Sequence, residues 1–198
     1  TLSDVNPRQG ECLSDEKKFL PECRLGANTI PSVAIWGDSH ADAVFKVMEG
    51  ALTEANRSAL FYAISGCPPV LGALYSVNAI RWGNDWEIDK CKKFNRTVHD
   101  RIVSDPQLRD VFMIVRWSVY LRGYNQNSGP HPYIVFEEEK AADASDLQER
   151  SRQYAEKMIE MMCSLTAQGK NVYVVEPIPE MEINVPIELA KSRLFRNR

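Results

Sequence analysis

The chain has 198 residues and a mass of 22.5 kDa, room for one compact domain and too little for two ordinary ones with a linker. Lys and Arg total 24 against 27 Asp and Glu, so the formal charge is -3, which excludes a general polybasic binder of nucleic acid or anionic membrane. The longest apolar run is six residues, Ala59 to Ile64, against the ~20 of a membrane-spanning helix, and no charged-then-apolar leader opens the sequence, so we expect a soluble piece, mature or cut from something larger.

Residues 1–31 are polar, with Pro7, Pro21 and Pro31 and little periodicity. They read as a linker or N-terminal strap. Ser32 to Trp36 is a continuous apolar run, as a strand buried on both faces would be. Gly37-Asp38-Ser39-His40 follows, and then a helix with apolar residues at 41, 44, 45, 48, 51, 52 and 55, which is helical spacing. Asn56-Arg57-Ser58 breaks it. Ala59–Ile64 is a second buried strand, ended by Ser65-Gly66-Cys67-Pro68-Pro69. After a loop over 70–84, a helix is predicted from Asp85 to Val103 with Cys91, Phe94, Val98 and Ile102 on one face, stopped by Asp105-Pro106. Val111–Trp117 is a third strand. The segment 118–143 reads as a long loop, which at that length is functional or disordered. Asp146 to Gln168 is a third helix with Leu147, Tyr154, Met158, Met161 and Leu165 as its inner stripe and Gly169 at its C-cap. Asn171–Glu176 is a fourth strand, ended by Pro177 and Pro179, and Pro186–Arg193 begins one more helix.

Strands that alternate with helices argue for an α/β fold, a three-layer α/β/α sandwich around a central parallel sheet with right-handed crossovers. In such folds the crevice lies beyond the carboxyl ends of the strands. The residues after Trp36, Ile64, Trp117 and Glu176 are therefore where chemistry is to be sought.

Five cysteines are many for a cytosolic enzyme of this length. No Cys-x-x-Cys occurs and no His is spaced near Cys as a zinc site needs, so no metal is expected. Their spacing and the turn at Cys67 predict Cys12–Cys23 and Cys67–Cys91 disulfides with Cys163 a buried thiol, hence an oxidising compartment. Five thiols in a reducing cytosol is the alternative.

Ser39 holds the most favourable position for a nucleophile. Gly37 permits a tight strand-to-helix turn, and a helix start offers N–H groups to an oxyanion. Asp38 or Ser39 acting only as an N-cap is the competing reading. Here Val33-Ala34-Ile35-Trp36-Gly37-Asp38-Ser39-His40-Ala41 resembles the first block of the SGNH hydrolase superfamily. It most resembles the SGNH domains fused to membrane-bound acyltransferases that O-acetylate bacterial surface polysaccharides. Ser65-Gly66-Cys67-Pro68-Pro69 resembles the second block, Cys91-x-x-Phe94-Asn95 follows at a fitting distance, and Val174 through Pro186 resembles the fourth strand and its proline-rich exit. The resemblance covers about residues 12–195.

The resemblance implies an SGNH, flavodoxin-like fold over 32–198. It implies Ser39 as nucleophile and oxyanion donor, Gly66 as a second donor, and Gly37, Asp38 and His40 as motif residues, with Asp38 not the triad acid. Where the family's third block has Gly-x-Asn-Asp, this chain has Val115-Arg116-Trp117-Ser118. Arg116 is thus either a substitute oxyanion donor or a solvated charge. Gly83-Asn84-Asp85 is a decoy that caps a helix. The family's last block, Asp-x-x-His, which holds the acid and base, is absent up to Arg198. His40, His99 and His131 are the histidines present, and His131, between two prolines in the long loop, is the one able to approach a site. We expect a missing segment, or an inactive copy. Tyr120, Tyr124, Tyr133 and Phe136, with Arg122, suit carbohydrate faces, or pack a simple lid. Met158, Met161 and Met162 are core filler.

The implied function is the extracytoplasmic SGNH-type domain of an O-acyltransferase, periplasmic or on the extracellular face, with a membrane-anchored parent. Its partners would be an acyl donor, a polysaccharide acceptor and the membrane acyltransferase domain of the same parent chain, with no nucleic acid and no cofactor. The alternatives are an acetyl esterase and a non-catalytic polysaccharide-binding or scaffold module. A flavodoxin-like cofactor binder would need a Ser/Thr/Gly-rich phosphate loop after the first strand, which is absent.

Overall fold

A computed structural model of the chain describes residues 6–14, 18–75, 85–122, 124–125, 129–130, 134–136, 147–176, 189 and 191–193. Its centre is a mostly parallel sheet. β3 (Val33–Gly37) lies in the middle, paired in parallel with β4 (Ser58–Ile64) on one side and β6 (Asp110–Ile114) on the other. β10 (Asn171–Val174) continues beyond β6, also parallel. β3 and β4 are buried at every position, which is why they read as unbroken apolar runs.

The segment expected as a strap is part of this sheet. β1 (Leu13–Ser14) pairs in parallel with the end of β4, and β2 (Cys23–Gly26) pairs antiparallel with its beginning. The disulfide Cys12–Cys23 ties the two together, with Cα atoms 5.1 Å apart. A short helix α1 (Gln9–Cys12) precedes β1. Strands this short carry too few residues to show alternation, so the pairing was not legible as a pattern.

Two helices cover one face. α2 (Ser39–Ala43) and α3 (Phe45–Glu54) pack Ala41, Phe45 and Leu52 on Val33, Ile35, Ala59 and Phe61. Three cover the other. α4 (Asp85–Ser104), α5 (Trp117–Arg122) and α6 (Leu147–Ala167) bury Phe94, Val98, Ile102, Tyr120, Met158, Met161 and Leu165 against Ala34, Trp36, Leu60, Tyr62, Val111 and Met113. This is the α/β/α sandwich. α4 keeps its predicted inner stripe, and α6 keeps Tyr154, Met158, Met161 and Leu165 of its own, the Leu147 side chain lying outside the described residues.

Three expectations are corrected. The third strand ends at Ile114, and Trp117 starts α5 rather than closing the strand. The 118–143 segment therefore begins as helix, and it includes the short strands β7 (Tyr124–Asn125), β8 (Gly129–Pro130) and β9 (Ile134–Phe136). β5 (Ala73–Tyr75) pairs antiparallel with β9, and β7 with β8. Cys163 is an exposed thiol, not a buried one. It lies two residues beyond Met161, about 200° round the helix from the buried stripe. Of the last expected helix, residues 189 and 191–193 are helical.

Candidate active site

The chain leaves β3 toward β4 through helices on one face. It returns from β4 to β6 through α4 on the opposite face. The crossovers diverge at β3, and open α/β sheets bind their ligands outside the carboxyl end of the strand where this happens. That end is Gly37, and Ser39 stands exposed two residues beyond it as the first residue of α2. A residue at that position has no intrahelical acceptor for its N–H.

Gly37 is there because nothing larger fits. A Cβ on it would stand 2.0 Å from the Ile114 carbonyl oxygen and 2.9 Å from the Ala41 methyl. The turn thus presses backbone to backbone against β6 on one side and against its own helix on the other.

Asp38 is 1% exposed. Its Oδ1 accepts the His40 N–H at 2.7 Å, an N-cap bond. Its Oδ2 accepts the Arg116 N–H at 3.2 Å and the Tyr120 hydroxyl at 2.7 Å. The capping reading and the motif reading therefore divide between neighbours: Asp38 caps, and Ser39 is left facing solvent. Tyr120 is 5% exposed and buried in the core that α5 shares with α6. It is not a carbohydrate platform, as the loop reading had it. Its spacing from Trp117 and Leu121 is helical, and that signal was available in Trp-Ser-Val-Tyr-Leu-Arg.

Gly66 follows β4 at the same edge. Gly37 is level with Ala63 in the parallel register, so Ser39 and Gly66 lie two and three residues past paired positions on strands about 4.8 Å apart. Gly66 is exposed with φ 73°, a conformation natural to glycine. The segment after it is pinned twice. Cys67 is bonded to Cys91 of α4, with Cα atoms 5.6 Å apart. Fully buried Asn95 donates its amide to the carbonyls of Pro68 at 2.7 Å and Val70 at 3.0 Å, while its oxygen accepts the Trp36 indole N–H at 3.2 Å. Asn95 thus ties β3, α4 and the Gly66 turn together, a role the resemblance to Cys91-x-x-Phe94-Asn95 did not specify.

Arg116 is half-buried just past β6, at the same carboxyl edge. Its backbone, not a side-chain amide, meets the Ser39 turn through Asp38. His40 is half-buried beside Ser39. His131, Tyr133, Gly83 and Asn84 lie outside the described residues.

His99 belongs to a triad look-alike elsewhere. Its Nε2 is 2.9 Å from Ser164 Oγ and its Nδ1 3.4 Å from Asp100 Oδ1. However, the Ser164 hydroxyl donates to the Met161 carbonyl at 2.8 Å, so the imidazole can only donate to it. Both residues sit inside helices whose N–H groups are bonded, leaving no oxyanion donor. The cluster pins α4 to α6.

Among the described residues no helix is long and apolar enough to cross a membrane. A family model described as SGNH domain (fused to AT3 domains) matches residues 11–198. No curated protein and no solved structure matches the chain.

Proposed function

The chain belongs to the SGNH domains that are fused to AT3 acyltransferase domains, and from that premise we propose that Ser39 carries an acyl group between a donor and a hydroxyl of a surface polysaccharide. The observation that supports this best is the exposed Ser39 at the switch point of the sheet, beside a buried, fully engaged Asp38 and level with the Gly66 turn.

In the proposed reaction Ser39 Oγ attacks the donor's acyl carbonyl. The Oγ–C bond forms, the donor's leaving group departs with a proton, and an acyl-enzyme remains. The acceptor hydroxyl then attacks that ester, the Oγ–C bond breaks, and the proton returns to Ser39. If water attacks instead, the domain is an acetyl esterase. The negative oxygen of each tetrahedral intermediate would be held by the N–H groups of Ser39 and Gly66, with Arg116 a third candidate donor. A serine needs a base, and the proposal assigns it to a residue outside the described set, within the chain His131 first.

The two disulfides fit an oxidising compartment, which supports work on the periplasmic or extracellular face. The AT3 fusion supports a membrane-anchored parent in which that domain delivers the acyl group.

The test is a serine-reactive fluorophosphonate on the intact parent protein, with 4-nitrophenyl acetate hydrolysis beside it. Labelling and turnover should exceed those of Ser39→Ala by about 10²-fold or more. If His131 is the base, His131→Ala falls to the same level. No Ser39-dependent labelling would leave the binding or scaffold module as the function.

A further inference from the structure

We propose that Tyr120 and Asp38 form a positioning clamp that holds the Ser39 turn against the start of α5, so that Tyr120, though remote in sequence, sets the reactivity of Ser39. The inference rests on the functional reading above and adds a residue to it. Asp38 and Tyr120 are 82 positions apart in the chain, and their hydrogen bond of 2.7 Å is buried. The carboxylate has two oxygens and receives three donors: His40 N–H, Arg116 N–H and the Tyr120 hydroxyl. Two of the three are backbone groups on the two turns that must be kept in register, the one carrying Ser39 and the one carrying Arg116.

The backbone donors are fixed wherever their turns go. The Tyr120 hydroxyl is different, because its ring is buried in the core on α5, which packs on α6. It therefore refers the position of Asp38 to the helical layer rather than to the turns themselves. Without it, the Ser39 turn would still be capped, and two direct ties to the end of β6 would remain, the Arg116 N–H to Asp38 Oδ2 at 3.2 Å and the Asp38 N–H to the Ile114 carbonyl at 3.4 Å. Both are longer than the usual length of about 2.9–3.0 Å for such bonds, so the turn would have slack relative to β6. Displacements of about 1 Å at a nucleophile can cost about 10²-fold in rate. Asp38 and Tyr120 touch no reacting atom in this account; they act through Ser39.

Tyr120→Phe keeps the ring and removes only the hydroxyl. Asp38→Asn keeps the shape but turns one acceptor into a donor facing a donor. In the intact protein, Tyr120→Phe should lower kcat for ester turnover and the rate of fluorophosphonate labelling together by about 10-fold, with KM changed less than about two-fold. Asp38→Asn should lose about 10²-fold, and the double variant no more than Asp38→Asn alone, because both break one contact. Amide exchange measured on the same proteins should quicken at 38–41 and 115–117 and not in β4 or α3.

A folded Tyr120→Phe with unchanged kcat and labelling overturns the inference, as does a loss confined to KM or to thermal stability. If the wild-type serine neither labels nor turns over, the functional reading fails instead. Amide exchange then decides the clamp by itself, and no local change at 38–41 and 115–117 overturns it.

Discussion

Gly37 carries more of the site than its missing side chain suggests. A methyl group there meets backbone 2.0 Å away, and backbone in the middle of a sheet cannot retreat. Gly37→Ala is expected to destabilise the domain by about 3 kcal/mol and to lower Ser39 labelling, read by urea unfolding beside the probe assay; a change under about 1 kcal/mol would mean that β3 and β6 can part. Ser14 presents the opposite case. It is 4% exposed and its hydroxyl has no hydrogen-bond partner among the described residues. Ser14→Ala should be neutral or stabilising by up to about 1 kcal/mol, and clear destabilisation in the same melts would refute the unpaired hydroxyl. Asp110 offers a pH signature. Burial alone would raise its carboxyl, but hydrogen bonds from Asn171 and Arg57 and the Arg57 charge outweigh it, leaving the pKa below the ordinary value. A depressed carboxyl contributes stability above its unfolded value of about 3.9, and the contribution is lost as pH falls through the folded one. Asp110→Asn should therefore cost stability at neutral pH, with the gap to wild type narrowing in acid; a constant gap would mean that its charge contributes nothing.

At the scale of elements, the Gly66 turn has two independent fastenings. The Cys67–Cys91 bridge spans 24 positions and constrains the unfolded chain by about 3 kcal/mol. Asn95 acts in the folded state, satisfying two carbonyls and one indole from a fully buried position. Asn95→Leu would strand all three and should cost about 3 kcal/mol, measured by thermal or denaturant unfolding with the disulfides intact. If the loss were below about 1 kcal/mol, the turn would be held by the bridge alone. The α5 helix shows how an element can be missed. Trp117 reads as the end of a strand and the five residues after it as loop, yet 117–122 form a helix that buries Val119 and Tyr120 and reaches Asp38 through the Tyr120 hydroxyl.

For the whole molecule, the covalent frame gives a direct count. Two disulfides and one exposed thiol predict that the native protein takes up one alkyl group, at Cys163, and five after reduction and unfolding. Five alkyl groups without reductant would remove the argument for an oxidising compartment. Reduction should also lower the melting temperature, since each closed loop contributes about 2–4 kcal/mol. The Cys12–Cys23 bridge has a further effect at this scale, because it fastens α1 and β1 to β2. Asn6 and Gln9 bind the buried Asp42 of α2 by their amides. Residues 6–12 are thereby held to the helix that begins with Ser39, and they belong to the same folded unit as the sheet.

The sequence alone determined the β-α alternation, the buried strands, the stripes of α4 and α6 and the motif around Ser39. Each is a local matter: burial on both faces leaves an apolar run, a half-buried helix leaves a 3.6-residue period, and a tight turn leaves a glycine. The resemblance carried by Gly37 to Ala41 located the family from one such local string. What only the tertiary structure decided are the relations between distant residues. That Asp38 meets Tyr120, that Asn95 spans Trp36 and Pro68, that β1 and β2 share the edge of β4 away from β3, and that His99 closes on Ser164 all depend on which elements lie side by side. Short strands and single polar contacts leave no periodicity in the chain, because a hydrogen bond constrains two atoms and not a pattern.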